Sequence, residues 1–198
     1  ALGIRNVCLM TGDYPSCGDH PGSKPVYDLD SVQLLQLVRK LDSGIDFAGN
    51  KLDGGTSFCA GAVTGIDPGK TIQLIKLEKK VRCGAEFIQT QAVYDVGMFE
   101  EFMEVTSHLE VPIIAGLIPL KSFSMAQFMN KYISGISVPE EIMSRIKDAP
   151  DPVEEGLSIA SETIKELMKL SRGVHIMPVG SHKNTPRLLS MAGILGND

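Results

Sequence analysis

Nothing in this sequence prepares it to meet a nucleic acid or a lipid bilayer. No cluster or stripe of Lys and Arg occurs along its 198 residues, and 19 basic against 24 acidic side chains leave a formal net charge of −5. Without a basic face, phosphate backbones find no counter-charge. No apolar run approaches the roughly 18 residues that a spanning helix needs, and the first residues lack the basic, apolar and small-residue succession of a secretory signal. The chain is therefore expected to be soluble and cytoplasmic. Cysteine is sparse: Cys8, Cys17, Cys59 and Cys83 contain no C-x-x-C pair and are too dispersed for a disulfide framework or a zinc site, which suits a reducing compartment. The tightest polar cluster, Cys17 with Asp19 and His20, is flanked by glycine and proline and reads as a loop rather than a metal centre. No G-x-G-x-x-G follows any strand-like run, which weighs against a dinucleotide-binding Rossmann sheet but not against a flavodoxin-like one.

What is present is an alternation. With 43% hydrophobic and 22% charged residues the chain can build one packed core, so residues 1–198 are read as a single domain. Arg5 to Met10 is a short apolar run that stops at Thr11-Gly12-Asp13, the composition of a buried strand entering a loop. After a Gly/Pro-rich loop, Asp30-Ser31 opens a stretch in which Leu34, Leu35, Leu37, Val38 and Leu41 recur at helical spacing before Gly44 ends it. The pattern repeats: strands at 58–63, 87–91, 112–117 and 174–177, and helices near 70–82, 98–109, 122–132, 139–147, 153–170 and 185–191. Five βα units follow, with crossovers long enough for parallel strands, in either a doubly wound sheet or a β/α barrel. A barrel needs eight units, so the chain would be about three short.

In a β/α barrel, chemistry gathers where the strands end. The residues there are Thr11-Gly12-Asp13, Thr64-Gly65, Thr90-Gln91, Pro119 with Ser122-Phe123, and Met177-Pro178. A carboxylate, an amide, an aromatic ring and several glycines suit a flat heteroaromatic ligand with donor and acceptor edges. Each also has a plainer role. Asp13 can cap its own loop, Phe123 can be core, and Lys80 in Glu78-Lys79-Lys80 can lie on a solvated helix face. Gln91 ends an apolar strand, where a buried amide must find partners.

At these same positions the sequence resembles the methylenetetrahydrofolate reductase family over nearly its whole length. The motifs come in order: Leu2-Gly3-Ile4-Arg5-Asn6-Val7 running into Thr11-Gly12-Asp13; Lys80-Val81, Gly84-Ala85, Gln89-Thr90-Gln91 and Tyr94-Asp95; Pro112 to Gly116 with Pro119-Leu120-Lys121-Ser122; and Gly173-Val174-His175. Gly18-Asp19-His20-Pro21 with Asp28-Leu29-Asp30-Ser31 is similar to versions in folate-using anaerobes and fused methyltransferase-reductases. The resemblance implies a (β/α)8 TIM barrel, of which this chain supplies about five units, with FAD at the carboxyl rim and ping-pong hydride transfer from donor to folate. It implies that Asp13 lies by the flavin and the pterin, that Gln91 contacts the folate and that Phe123 stacks on substrate or donor. Thr11, Gly12, Tyr27 and Lys80 match cofactor-holding positions, Lys80 being suited to the diphosphate. The partners implied are the folate, NAD(P)H or an electron-transferring subunit, within a homo-oligomer or a heteromeric complex.

The sequence also departs from the family pattern. Val63 and Asp67 stand where some relatives have Tyr and His, Gln73 where an Asp is expected, and Met177 and Ser181 where others carry Tyr and Arg. The family's acid, a Glu on the first barrel strand, has no counterpart here, because the chain opens at what would be the fourth. The competing expectations are a non-catalytic barrel subunit completed by a partner, and a pterin-binding methyltransferase barrel without flavin.

Overall fold

A computed structural model describes residues 3–12 and 14–195, apart from the side chain of Cys17. The elements run β1 (Asn6–Leu9), α1 (Ser31–Asp42), β2 (Cys59–Thr64), α2 (Thr71–Arg82), β3 (Phe87–Ala92), α3 (Val96–Thr106), β4 (Ile113–Leu117), α4 (Phe123–Tyr132), α5 (Glu140–Asp148), α6 (Pro152–Leu170), β5 (Gly173–Ile176) and α7 (Thr185–Met191). The strands form one sheet in chain order, β1-β2-β3-β4-β5. The outer pairs are parallel, Cys8 standing opposite Gly61 and Gly116 opposite His175. An order that never reverses separates the two architectures left open by the sequence. A doubly wound sheet changes direction at a switch point, whereas successive strands added on one side are the start of a barrel wall.

Caps explain where the helices begin. Asp30 accepts from the amides of Val32 and Gln33 while the Gln33 side chain accepts from the Asp30 amide, a complete capping box ahead of α1. Asp95 accepts from Met98 N, so α3 starts two residues earlier than its apolar spacing suggests. It also ends earlier: a 3-10 turn, Ser107–Leu109, replaces its expected last residues and leads to Glu110 at φ 50°. Ser122 and Asp151 cap α4 and α6 in the same way.

The chain divides into two compact units. The first comprises residues 1–63 and 72–88. Its core includes Leu35 and Val38 of α1, Ala60 and Ala62 of β2, Leu77 of α2 and Ile88 of β3. Arg39 ties its lower edge together, donating to Asp42, to the Phe58 carbonyl and to Glu86, whose carboxylate also accepts from the amide of Ala60. The second unit comprises residues 64–71 and 89–198. Its core is one cluster that includes Leu117, Leu120, Ala126, Ile146, Leu157, Ile164 and Leu188. Arg145 of α5 binds Glu155 and Glu162 of α6, and Arg187 of α7 binds Glu154 of α6.

Candidate functional site

In the first unit, Thr11 and Gly12 follow β1 and line a cleft of about 530 Å³ with Lys24, Tyr27, Asp30 and Lys76. That volume suits a mid-sized ligand. Gly12 sits at φ +73°, a left-handed conformation that side chains with a Cβ rarely adopt. Tyr27 is 72% exposed, so its ring is available to whatever enters. Asp13 lies outside the described residues.

Lys80 is not on a solvated helix face. It is 7% exposed, and its Nζ donates to the Val63 carbonyl at 2.5 Å, on the penultimate residue of β2. Burial pulls its pKa below the ordinary lysine value and the like charge of Lys76 adds to this, while Asp30 and Cys8 oppose it. Burial likewise pushes the Cys8 thiol up, with the Lys80 charge partly offsetting the shift. One turn before Lys80, Lys76 lines the cleft itself. Neither Lys76 nor Lys24 stands out in the sequence, although the four-residue step from Lys76 to Lys80 puts both on one helix face. Gln73, the departure from an expected Asp, leaves its Oε1 buried without a hydrogen-bond partner.

In the second unit, Gln91 corrects one expectation: it is exposed, not buried. The alternation of β3 buries Ile88, Thr90 and Ala92 and leaves Gln91 on the opposite face. Its backbone is nonetheless fixed, because buried Thr90 donates to the Gln91 carbonyl at 2.8 Å and accepts from the amide of Gly116 at 2.9 Å. A rigid strand end thus carries a free amide, with Gly135 of the α4–α5 loop close by, its Cβ position 3.7 Å from Gln91 Cγ.

Phe123 opens α4 behind its Ser122 cap. It is half-buried against the core cluster, and Lys147 Nζ stands 5.7 Å from its ring centroid. Partial burial is compatible with either reading of this residue, core or ligand platform. Met177 packs on the same cluster, and Ser181 is buried, accepting from Asn184 at 2.9 Å. Asp67 accepts from the amide of Gly69 and pairs with Lys70. Asp19 and His20 pair with each other at 3.0 Å, both exposed, and among the described residues no group of three His, Cys, Asp or Glu is gathered. Among the described residues no helix is long and apolar enough to cross a membrane.

The chain is similar to "Methylenetetrahydrofolate reductase 2" of Schizosaccharomyces pombe, at 26% identity over 98% of this chain and 32% of the relative. It is similar to the 5,10-methylenetetrahydrofolate reductase of Escherichia coli at 28% identity, over 84% of this chain and 53% of that protein. The chain thus spans about a third to a half of the curated relatives it matches. Its fold is similar to that of a Clostridium thermocellum protein that binds two copies of 5-methyl-5,6,7,8-tetrahydrofolic acid, with a TM-score of 0.51 at 21% identity over 69% of this chain and 52% of that one. Residues 1–193 match the family described as methylenetetrahydrofolate reductase, and the chain belongs to that family.

Proposed function

We propose that this chain is the folate- and flavin-binding part of an enzyme that reduces 5,10-methylenetetrahydrofolate to 5-methyltetrahydrofolate. The observation that carries the proposal is the family match across residues 1–193. The cleft of the first unit supports FAD as the cofactor. It offers a hydroxyl at Thr11, a ring at Tyr27 and cations at Lys24 and Lys76. The unpartnered Oε1 of Gln73 on the adjoining helix is an acceptor still in need of a donor. Bound FAD would carry a hydride from the electron donor to the folate in two half-reactions of a ping-pong cycle.

The roles of the chain's own residues follow from their settings. Thr11, Gly12 and Tyr27 hold the cofactor, and Asp13 supplies a negative charge beside the reacting rings. Lys76 and Lys24 take the diphosphate together with Lys80, whose buried charge is fixed on the Val63 carbonyl. Gln91 presents its amide to the polar edge of the pterin, and Phe123 stacks on substrate or donor. The donor is NAD(P)H or an electron-transferring subunit. We assign no residue of this chain as the acid that protonates the folate, and propose that strands added to this sheet supply it and complete the barrel. The outer strands β1 and β5, each with one neighbour among the described residues, favour such completion.

An absorbance spectrum between about 350 and 500 nm, before and after anaerobic addition of methyltetrahydrofolate, tests the proposal on this chain and on an N-terminally extended one. Flavin bands that bleach with the folate support it, and bleaching in the extended form alone locates the acid in the added strands. A colourless protein in both forms overturns the flavoenzyme reading and leaves a binding subunit or a flavin-free methyltransferase barrel.

A further inference from the structure

Lys121 is a cation at the unfavourable end of a helix. It directly precedes Ser122, the N-cap of α4, where unsatisfied amides make the local potential positive and a negative side chain would be the stabilising choice. Among the described residues it takes part in no ion pair. Its ammonium instead donates to the carbonyl of Val179 at 2.6 Å, 58 residues further along the chain.

Val179 belongs to the loop that leaves β5, and this loop is already folded on itself. Met177 N donates to the Leu117 carbonyl at 2.8 Å, Val179 N to Met177 O at 2.9 Å and Ser181 N to Pro178 O at 2.5 Å. Gly180 adopts φ +68°, and a Cβ built there would stand 3.1 Å from Lys121 Nζ, so the ammonium occupies the space above the glycine. The side chain thus closes a gap between two loops, one following β4 and one following β5, each at the carboxyl end of its strand. Stability of α4 alone is no reason for a lysine here, since its charge works against the helix dipole.

We infer that Lys121 is a positioning residue: it straps the Met177–Ser181 loop to the Pro119–Phe123 segment and so fixes the wall beside Phe123 against which the ligand ring is held. The inference rests on the proposed function, which places substrate or donor on Phe123. A strap of this kind acts on binding and leaves hydride transfer alone, because no atom of Lys121 need touch a reacting centre.

The test uses the full-length protein with Lys121→Met, Lys121→Arg and Gly180→Ala, reading hydrogen exchange of residues 177–184 and the steady-state constants for methylenetetrahydrofolate. In Lys121→Met, exchange of the Val179 and Ser181 amides, which donate within the loop, should quicken roughly tenfold, KM should rise about five- to tenfold and kcat should stay within about twofold. Lys121→Arg, which keeps a donor within reach of the carbonyl, should restore both. Gly180→Ala crowds the ammonium from the other side and should reproduce the effect, the double variant adding little to either single one. Unchanged exchange in Lys121→Met overturns the strap. Faster exchange with an unmoved KM, or a loss confined to kcat, overturns its link to binding. A parent protein that does not turn over the folate refutes the proposed function instead, and the exchange data then decide the strap alone.

Discussion

Lys80 holds a charge in a place where folding gains little from it. Its partner is a carbonyl rather than a carboxylate, and its lowered pKa records the desolvation left uncompensated. The sign of the linkage follows. Between the folded value and the ordinary lysine value the unfolded chain binds more protons, so stability from this site rises with pH across that window and the penalty persists below it. Lys80→Met should therefore unfold in urea within about 1 kcal/mol of the parent or above it near neutral pH, and lose the rise at alkaline pH. On the proposed reading, in which Lys80 contacts the cofactor's diphosphate, the same variant should bind flavin roughly tenfold or more weakly, since a charge-assisted hydrogen bond contributes about 1.5–3 kcal/mol. Unchanged flavin affinity in the folded variant would refute the cofactor role. Gly156 makes a different single-residue demand. A Cβ there would lie 1.8 Å from the backbone oxygen of Leu120, and neither backbone can yield without moving α6 off the core. Gly156→Ala should cost about 3 kcal/mol in chemical denaturation, at the upper end of overpacking penalties.

At the scale of elements, the helices are set by their ends and their ties. The capping box of α1 satisfies three amides with two side chains, so Asp30→Ala should lower the stability of the first unit by about 1 kcal/mol, read from the urea midpoint. The α5–α6 tie carries a pH signature. The Arg145 guanidinium, by its hydrogen bonds, holds the Glu162 carboxyl below its ordinary value, against a smaller opposing effect of burial. A depressed carboxylate pKa gives stability that is present above the unfolded value and lost as pH falls through the folded one. Glu162→Gln should flatten that acid limb of the stability profile while changing neutral stability by under about 1 kcal/mol, because both groups are partly exposed.

For the whole molecule, the open edges of the sheet set the behaviour. β1 and β5 each pair on one side among the described residues, and an unpaired parallel edge is a template for association. This chain alone should self-associate in sedimentation experiments at micromolar concentration, and a polypeptide bringing strands to both edges should not. A strictly monomeric chain would mean that the edges are protected in some other way. Exchange protection should be highest in β4 and α6, which contribute side chains to the core cluster of the second unit.

The sequence by itself determined the element order, the βα alternation and the family. Apolar periodicity, capping residues and glycine stops are local signals, and each set of helix and strand limits lay within a few residues of its prediction. By resemblance it put forward Thr11, Gly12, Asp13, Tyr27 and Lys80 as cofactor-holding; Thr11, Gly12 and Tyr27 line one cleft, Lys80 is buried with its ammonium on the Val63 carbonyl, and Asp13 lies outside the described residues. Local periodicity left barrel wall and doubly wound sheet open and only the family resemblance pointed to the barrel; the strand order, a non-local property, agrees with the barrel wall. Tertiary structure alone decided that Gln91 faces outward and Lys80 inward, since burial depends on which face of an element meets the core. It also brought Lys121 to Val179, a contact between loops far apart in the chain that no periodicity encodes.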